Sequence, residues 1–410
     1  MRLNSMTSPL AVAIAVAAAA PAAAQTVTLT PLAEARLRHE HVVQDGLPER
    51  SDGVTARIRA GVQASGGHWT ALAEAQGNLA IVGDYYDGLA GSATVRPQIG
   101  DPQNVALYRA QLQYRSPAVT VTAGRQRIQL DDERFVGAAA FRNNGQTFDA
   151  VRTELTPVKG VKADVTYAWG VRTIWGIDGT GARQQAVGGD NVFATLGVAT
   201  PAGTVSGYAY LVDQDEAIVQ GYRLSSQTYG ARLAGSRGIG KATLAWTASH
   251  ARQSDYHRNP NAYRADYWLA DVAVDLAGPK LGAGYEVLGA GHGSSRGAAL
   301  ASFQTPLSSV FKFQGWADKL TTTPADGVRD LYGSAGWGWK QIGALRAVSL
   351  QAVYHRFGSD RLVRHYGNEI DLLAQARIGR TVASVRYADY RADRFATDTR
   401  KLWLQMDWTL

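Results

Sequence analysis

Residues 161–169 read VKADVTYAW, and apolar and polar side chains alternate along the whole stretch. Successive side chains of a β-strand point to opposite faces. Val165, Tyr167 and Trp169 therefore share one face, and Lys162 and Asp164 share the other. The stretch predicts a strand with an apolar face and a charged face, which is the unit of a sheet that separates lipid from water.

The same unit recurs from about residue 30 to the end of the chain. Similar alternation is found at 54–62, 106–114, 242–248, 370–376 and 402–410. The connectors alternate in length. Short turns are expected near 115–118, 156–160, 199–203, 236–240, 276–279, 341–346 and 378–381, and long loops near 79–104, 129–145, 171–190, 212–225, 253–265 and 357–367. This asymmetry predicts an all-β fold, a transmembrane antiparallel β-barrel with short periplasmic turns and long extracellular loops.

The pattern yields nineteen candidate strands, but a barrel with both ends of the chain on the periplasmic side needs an even number. Eighteen strands are therefore predicted. The surplus segment is assigned to 298–330, where Thr305-Pro306 interrupts the alternation.

The first residues resemble a secretory leader. Arg2 precedes the apolar stretch 10–20, and three alanines at 22–24 match a cleavage site. We expect a signal peptide at 1–24 and an outer-membrane barrel domain at 25–410, in contact with outer-membrane lipid. The absence of cysteine excludes thiolate metal sites and disulfides.

Charge and motifs limit the function. The net charge is +7, and 34 of the 42 basic residues are arginine, whose planar fork matches carboxylates. No nucleotide, phosphate-loop or zinc-protease motif is present. Ser249 and His250 are neighbours on a strand and point to opposite faces, which argues against a hydrolase. His39 and His41 lack a third metal ligand, and the acidic run 131–133 fits a solvated loop better than a calcium site. No enzyme activity, cofactor, metal or nucleic-acid partner is expected.

The polar faces of the strands are expected to line a water-filled lumen. They place arginines on its wall, together with Glu34 and Glu40: Arg36, Arg38, Arg57, Arg59, Arg109 and Arg386. Arginines facing water in a narrow pore select anions. The alternative is that they pair with Glu34, Glu40, Glu74 and Asp371 and only stabilise the wall. Both can hold at once.

Residues 124–152, GRQRIQLDDERFVGAAAFRNNGQTFDAVR, are the densest charged segment. Gly124 interrupts the alternation, which permits two arrangements. A bulge can turn Arg125 into the lumen. Without a bulge Arg125 stays on the outer face, where only a position at the extracellular strand end avoids a charge in hydrocarbon.

Several motifs together resemble the alginate export family of outer-membrane porins. They are GRQ at 124–126, DERFVG at 132–137, FDAVR at 148–152, FQTPL at 303–307, KFQGWADK at 312–319, YADY at 387–390 and DTRKLW at 398–403. Phe311 departs from the histidine common before that lysine. The resemblance implies a monomer of about eighteen strands with an electropositive lumen. It implies pore-constriction roles for Arg125, Arg134, Asp149 and Arg152, and a loop 79–104 that folds into the mouth.

The predicted function is therefore passive diffusion of an anionic, alginate-like polysaccharide or acidic oligosaccharide, in the direction of export and with periplasmic export components as partners. The alternative is an uptake porin for acidic oligosaccharides or small anions. A structural or adhesive barrel with a plugged lumen is a third hypothesis.

Overall fold

The computed structural model describes residues 26–292 and 300–410. These residues form eighteen strands in one antiparallel sheet. The strands are β1 (Thr28–Gln44), β2 (Ser51–Gly66), β3 (Trp69–Asp84), β4 (Asn104–Arg115), β5 (Val119–Gln126), β6 (Thr147–Val158), β7 (Val161–Arg172), β8 (Ala186–Thr200), β9 (Gly203–Val212), β10 (Ser226–Ile239), β11 (Ala242–Asp255), β12 (Arg264–Asp275), β13 (Pro279–Leu288), β14 (Val328–Ile342), β15 (Leu345–Gly358), β16 (His365–Ile378), β17 (Thr381–Ala392) and β18 (Thr399–Thr409).

Each strand pairs with its neighbours in sequence, and β1 pairs with both β2 and β18, so the sheet closes into a barrel. The predicted number of eighteen is confirmed. In the described part of 298–330, the chain forms a loop with a 3₁₀ turn at Val310–Lys312 until β14 begins at Val328. The surplus segment was therefore assigned to the right place.

The two ends of the barrel differ as predicted. At one end, turns of two or three residues join the strands, as between Gly66 and Trp69 or between Val158 and Val161. The other end carries the loops 45–50, 85–103, 127–146, 173–185, 213–225, 256–263, 359–364 and 393–398, and the connection between β13 and β14, which is described at 289–292 and 300–327 and is called loop 289–327 below. The long-loop end is extracellular in outer-membrane barrels, and the short-turn end is periplasmic.

The two faces of β7 confirm the alternation. Val165, Tyr167 and Trp169 are 45–48% exposed on the outside of the barrel, whereas Thr166 and Ala168 are fully buried inside. Large apolar side chains exposed on every side of the barrel form the surface that meets lipid.

The strand β4 corrects one detail of the expected pattern. Strict alternation through 106–114 would place Tyr108 on the apolar face with Ala106, and Leu107 on the polar face with Arg109. In the structure Leu107 is 49% exposed and Tyr108 is buried. The register between β3 and β4 shifts at Glu74, so Tyr108 occupies a bulge. Because a bulge adds one residue, Tyr108 and Arg109 both face the lumen.

Long loops fold into the barrel and form an internal core. Phe135 of loop 127–146 contacts Tyr208 of β9, Tyr267 of β12 and Phe303 of loop 289–327, with ring centroids 5.4, 5.1 and 5.9 Å apart. The two loops are also joined through a parallel bridge between Val136 and Leu307. The lumen is therefore narrowed by packed loops.

Among the residues that the structure describes, no helix is long and apolar enough to cross a membrane. The signal peptide expected at 1–24 lies outside the described residues and stays a prediction. The closed barrel with its apolar outer surface is that of a protein of the bacterial outer membrane.

Candidate substrate path

Four arginines lie close together on the lumen face of neighbouring strands. Arg36 is on β1, Arg57 and Arg59 are on β2, and Arg386 is on β17. Arg36 and Arg57 are direct cross-strand neighbours. We call these four residues the basic wall. Strand alternation brings them to one side of the pore because each lies at an inward position of its strand.

Two carboxylates accompany the basic wall. Asp407 of β18 lies opposite Arg36 and accepts a hydrogen bond from its Nε at 2.7 Å. Glu34 is shared, since its Oε2 lies 3.4 Å from a nitrogen of both Arg57 and Arg59. Three of the four guanidinium groups thus pair with two carboxylates, and the wall keeps an excess of positive charge.

Two members of the basic wall have guanidinium N–H groups that are not used in contacts with the described residues. Arg57 is only 3% exposed, and its Nε and Nη1 have no hydrogen-bond partner within the described chain. Arg386 donates to Ser384 Oγ at 3.1 Å and forms no ion pair with the described residues. Buried donors without partners are costly, so an anion from solution would be stabilised here.

Arg109 and Arg152 also face the lumen, but each has a carboxylate of its own. Arg109 Nε lies 2.7 Å from Glu74. Arg152 lies 2.5 Å from Asp164 and 3.3 Å from Glu154. The predicted pairing of wall arginines holds for Glu34 and Glu74. It is wrong for Glu40 and Asp371, which form no ion pair with an arginine among the described residues.

Arg38 connects the wall to the inserted loops. It is 1% exposed and donates to Gln405 of β18 at 2.8 Å. It also donates to Asp101 of loop 85–103 at 2.8 Å, and its guanidinium lies 4.2 Å from the ring centroid of Phe141. The loop predicted near 79–104 therefore reaches into the lumen through its second half, at Asp101.

Two cavities of the lumen meet at a set of shared lining residues, which we call the constriction. A cavity of about 810 Å³ opens toward the long loops, and one of about 740 Å³ opens toward the short turns. Ala140, Phe141, Phe311 and Lys312 line both cavities. Phe141 and Phe311 stack with centroids 3.3 Å apart and planes within 3°. These four residues form the constriction.

Arg134 holds the constricting loops against the barrel wall. It is 2% exposed, lies 2.5 Å from Glu286 of β13 and donates to Thr305 Oγ1 of loop 289–327 at 3.2 Å. The pore role predicted for Arg134 is thus structural in this arrangement, because its donors are used inside the protein.

A second set of ion pairs joins three segments through the carboxylate of Asp318. We call this set and the contacts of Arg134 latches, because each holds loops to the barrel wall. Asp318 of loop 289–327 lies 2.8 Å from Arg142 of loop 127–146 and 2.7 Å from Lys401 of β18. Burial opposes ionisation of Asp318, but the two cations outweigh it and lower its pKa to about 2. The neighbouring Lys319 has the opposite balance. Burial, and then the charge of Lys401, lower its pKa to about 8.

Acidic residues line the lumen further round the wall, on β12 to β16. They are Asp271, Glu286, Asp330, Glu369 and Asp371. His355 stands among them, with Nδ1 2.9 Å from Asp330 and Nε2 3.7 Å from Asp371. Most of these carboxylates are held by internal donors, such as Tyr332, whose hydroxyl donates to Asp271 at 2.8 Å.

Arg125 and Asp149 lie elsewhere. The ladder of β5 continues through Gly124 without a register shift, so the arrangement without a bulge is the one observed of the two that the sequence permitted. Gly124 takes a φ of +107°. Arg125 keeps the outward position of Ala123, at the extracellular end of β5. There it pairs with Asp149 at 2.8 Å, and Arg172 joins the pair at 3.3 Å. This placement does not fit a pore-constriction role for either residue.

The residues of the constriction were missed by sequence reasoning. Phe141 lies within the charged segment 124–152, and Phe311 was noted only as a departure from a motif. The signal available in the sequence was the density of motifs around these two residues. Nothing local indicates that these two rings meet, because the contact joins two loops far apart in the chain.

No group of three or more His, Asp or Glu in the described residues is arranged to hold a metal ion. Asp132 pairs with Arg232 at 2.6 Å, and Glu133 pairs with Lys312 at 2.9 Å, so two of the three acids of the run 131–133 are used in ion pairs.

The fold and the lumen together define a closed β-barrel of the bacterial outer membrane. No protein-family model and no curated protein sequence matches the chain. Solved structures do match. OpdO of Pseudomonas aeruginosa has a TM-score of 0.66 at 14% identity, with 93% of this chain and 97% of that chain covered. A BenF-like porin of Pseudomonas fluorescens has a TM-score of 0.68 at 11% identity, covering 93% and 99%. OpdK of Pseudomonas aeruginosa, solved with vanillate, has 0.64 at 12%, covering 93% and 98%.

These similarities show the fold, and the matched structures are porins, which are channels and not enzymes. They correct the resemblance to alginate exporters, since the structural similarity leads to Opd-type and BenF-like porins. The motifs behind that resemblance serve other purposes here. DERFVG contributes Arg134 to an internal latch, and FDAVR contributes Asp149 to an outward ion pair.

Proposed function

We propose that this porin is a passive uptake channel for small organic anions that carry a carboxylate. The observation that supports it most directly is Arg57, a buried lumen arginine with two unpartnered nitrogens. A carboxylate that enters the path would be attracted by this buried charge and would accept hydrogen bonds from Arg386, which lines the cavity and whose guanidinium matches carboxylates in geometry as well as charge. All of the wall residues come from one chain, so the proposal needs only one barrel.

The constriction adds aromatic side chains that can contact the solute. The stacked pair of Phe141 and Phe311 continues to Trp316, whose ring centroid lies 5.9 Å from that of Phe311. Arg386 lies 5.5 Å from the centroid of Phe141, and Arg36 donates to the Phe141 carbonyl at 2.9 Å. Aromatic rings beside guanidinium groups suit a small solute with a flat apolar body and an anionic end, such as an aromatic acid. OpdK, crystallised with vanillate, is a protein of the same fold.

The packed loops favour small solutes over a polymer. Loops 85–103, 127–146 and 289–327 all contribute to the interior, and their latches leave a narrow passage between two cavities. A passive channel follows the concentration gradient, so a solute scarce inside the cell would move inward.

The test is the ion selectivity of the purified barrel in a planar bilayer under a salt gradient. We expect an anion-selective reversal potential that shifts toward zero in Arg57→Gln/Arg386→Gln, and a block by benzoate that weakens about tenfold, because two guanidinium donors are lost. The matched control is Arg152→Gln/Asp164→Asn, which removes a cation together with its own counterion and should leave both measurements unchanged. A cation-selective wild type would refute the proposal.

A further inference from the structure

The lipid-facing surface has an apolar furrow that extends from β15 through β18 to β1 and β2. Its cavity is about 480 Å³. Ala374 of β16 and Ala383 of β17 lie in its middle, and the larger Leu350, Leu404 and Met406 rise beside them. Leu350 pairs with Ala374, and Met406 pairs with Ala383, so large and small side chains stand on adjacent strands. Small residues between large ones leave a channel along the wall that fits an acyl chain.

Three arginines stand on the same outer face above the furrow, at the extracellular ends of the strands. They are Arg356 of β15, Arg391 of β17 and Arg400 of β18, all exposed. Arg356 and Arg391 flank Asn368 of β16 in one cross-strand row. Neighbouring strands are about 4.8 Å apart, so Arg356 of β15 and Arg400 of β18, three strands apart, are separated by roughly 14 Å across the sheet, a span that two phosphates of one lipid can cover.

The charges of this rim are only partly balanced. Arg391 lies 2.8 Å from Asp389 and 3.2 Å from Asp398. Arg356 and Arg400 form neither an ion pair nor a hydrogen bond with the described residues. Exposed cations at the level of lipid headgroups attract anionic lipid. Arg391 is paired with two acids, whereas the guanidinium groups of Arg356 and Arg400 above the furrow stay unpaired within the described chain.

We propose that this surface binds a diphosphorylated lipid of the outer leaflet, with one phosphate at Arg356, the other at Arg400, and an acyl chain in the furrow. The distances fit such a lipid. Leu404 follows Arg400 by four residues and Leu350 precedes Arg356 by six, which corresponds to about 13 and 20 Å along a strand. The extracellular position of the rim selects the outer leaflet. This site lies outside the barrel and is independent of the solute in the lumen.

Native mass spectrometry of the full barrel in detergent micelles tests the proposal, with diphosphorylated lipid A as the probe and dephosphorylated lipid A as its comparison. We expect a bound phosphorylated lipid whose affinity falls about tenfold or more in Arg356→Gln/Arg400→Gln, because each arginine near anionic lipid contributes to binding. Ala374→Phe fills the furrow and should weaken binding of both lipids. Arg252→Gln on β11 is the matched control, since it removes an exposed outward arginine elsewhere on the rim and should change nothing.

Equal affinity of wild type and the double variant would overturn the proposal, and so would equal affinity for the phosphorylated and dephosphorylated lipids. A dimer that Ala374→Phe abolishes, without bound lipid, would assign the furrow to a second copy of the chain and also overturn it. All variants alter exposed or partly exposed side chains, and the shift in gel mobility on heating verifies that each barrel is folded.

Discussion

The ring of Phe141 lies flat on the ring of Phe311, with centroids 3.3 Å apart, where the two halves of the lumen meet. One ring comes from loop 127–146 and the other from loop 289–327. The stack therefore joins the two loops at the point where they narrow the path, and Trp403 of β18 supports it edge-on at 5.9 and 5.7 Å from the two centroids.

Removing both rings should widen the path. We expect Phe141→Ala/Phe311→Ala to raise the single-channel conductance on the order of twofold, because pore diameter at the constriction limits conduction. Block by an aromatic acid should weaken at the same time, while block by acetate should change little. Leu362→Ala, at an exposed loop position, is the control. Unchanged conductance in the double variant would show that the passage is narrowest elsewhere.

The latch at Asp318 should keep the loops closed over a wide pH range. Its pKa is about 2, and that of an unfolded aspartate is about 3.9, so its stabilising contribution is complete above about pH 4 and is lost as the pH falls through 2. Wild-type current should be steady between pH 4 and 7. Asp318→Asn leaves Arg142 and Lys401 without their shared partner, and we expect frequent current fluctuations at pH 7.

Recordings of single channels at pH 4 and 7 measure this effect. Asp360→Asn, which alters a carboxylate paired with Arg329 outside the constriction, serves as the control. If Asp318→Asn were as quiet as the wild type, the loops would be held by their apolar packing alone.

The barrel could be predicted from the sequence because its physics is local and periodic. In β7 the position of each residue in the alternation predicts the face to which its side chain points. The same rule placed Arg36, Arg57 and Arg386 on the lumen wall. The rule failed at Tyr108, where a bulge adds one residue, since a bulge depends on the register with the neighbouring strand. The rule could not decide whether Arg125 faces the lumen or the outside of the barrel. The uninterrupted ladder through Gly124 shows that it faces outward.

The interior could not be predicted in the same way. Phe141 and Phe311 meet through the fold of two loops, and Asp318 finds Arg142 and Lys401 on two other segments. Alternation says nothing of a loop's direction, so the sequence could not distinguish a loop above the mouth from one inside the lumen. The polymeric solute was expected from the resemblance to alginate exporters, which the structural similarities do not support.

Lys319 should make the anion preference depend on pH. It lines the extracellular cavity and donates to Gln44 at 2.8 Å. Its pKa is about 8, so its positive charge is present at pH 7 and lost as the pH rises to 9. Anion selectivity should fall over that interval. Lys319→Gln should remove the step, and Lys319→Arg should keep selectivity constant because arginine stays charged. Reversal potentials at pH 7 and 9 measure it, and an equal step in Lys319→Gln would assign the titration to another group.

Gly124 should be essential for the wall between β4 and β6. Its φ of +107° is in the region that favours glycine, and a Cβ there would lie 2.3 Å from the carbonyl oxygen of Ala110 on β4. Gly124→Ala must therefore strain the backbone and push β4 away, at a cost of about 1–3 kcal/mol. We expect a lower yield of folded barrel and unfolding at lower urea concentration, measured by the mobility shift on heating. Gly207→Ala is the matched control, because a Cβ at that strand position meets nothing within 4 Å. Equal stability of the two variants would mean that β4 and β5 can separate locally without loss of the barrel.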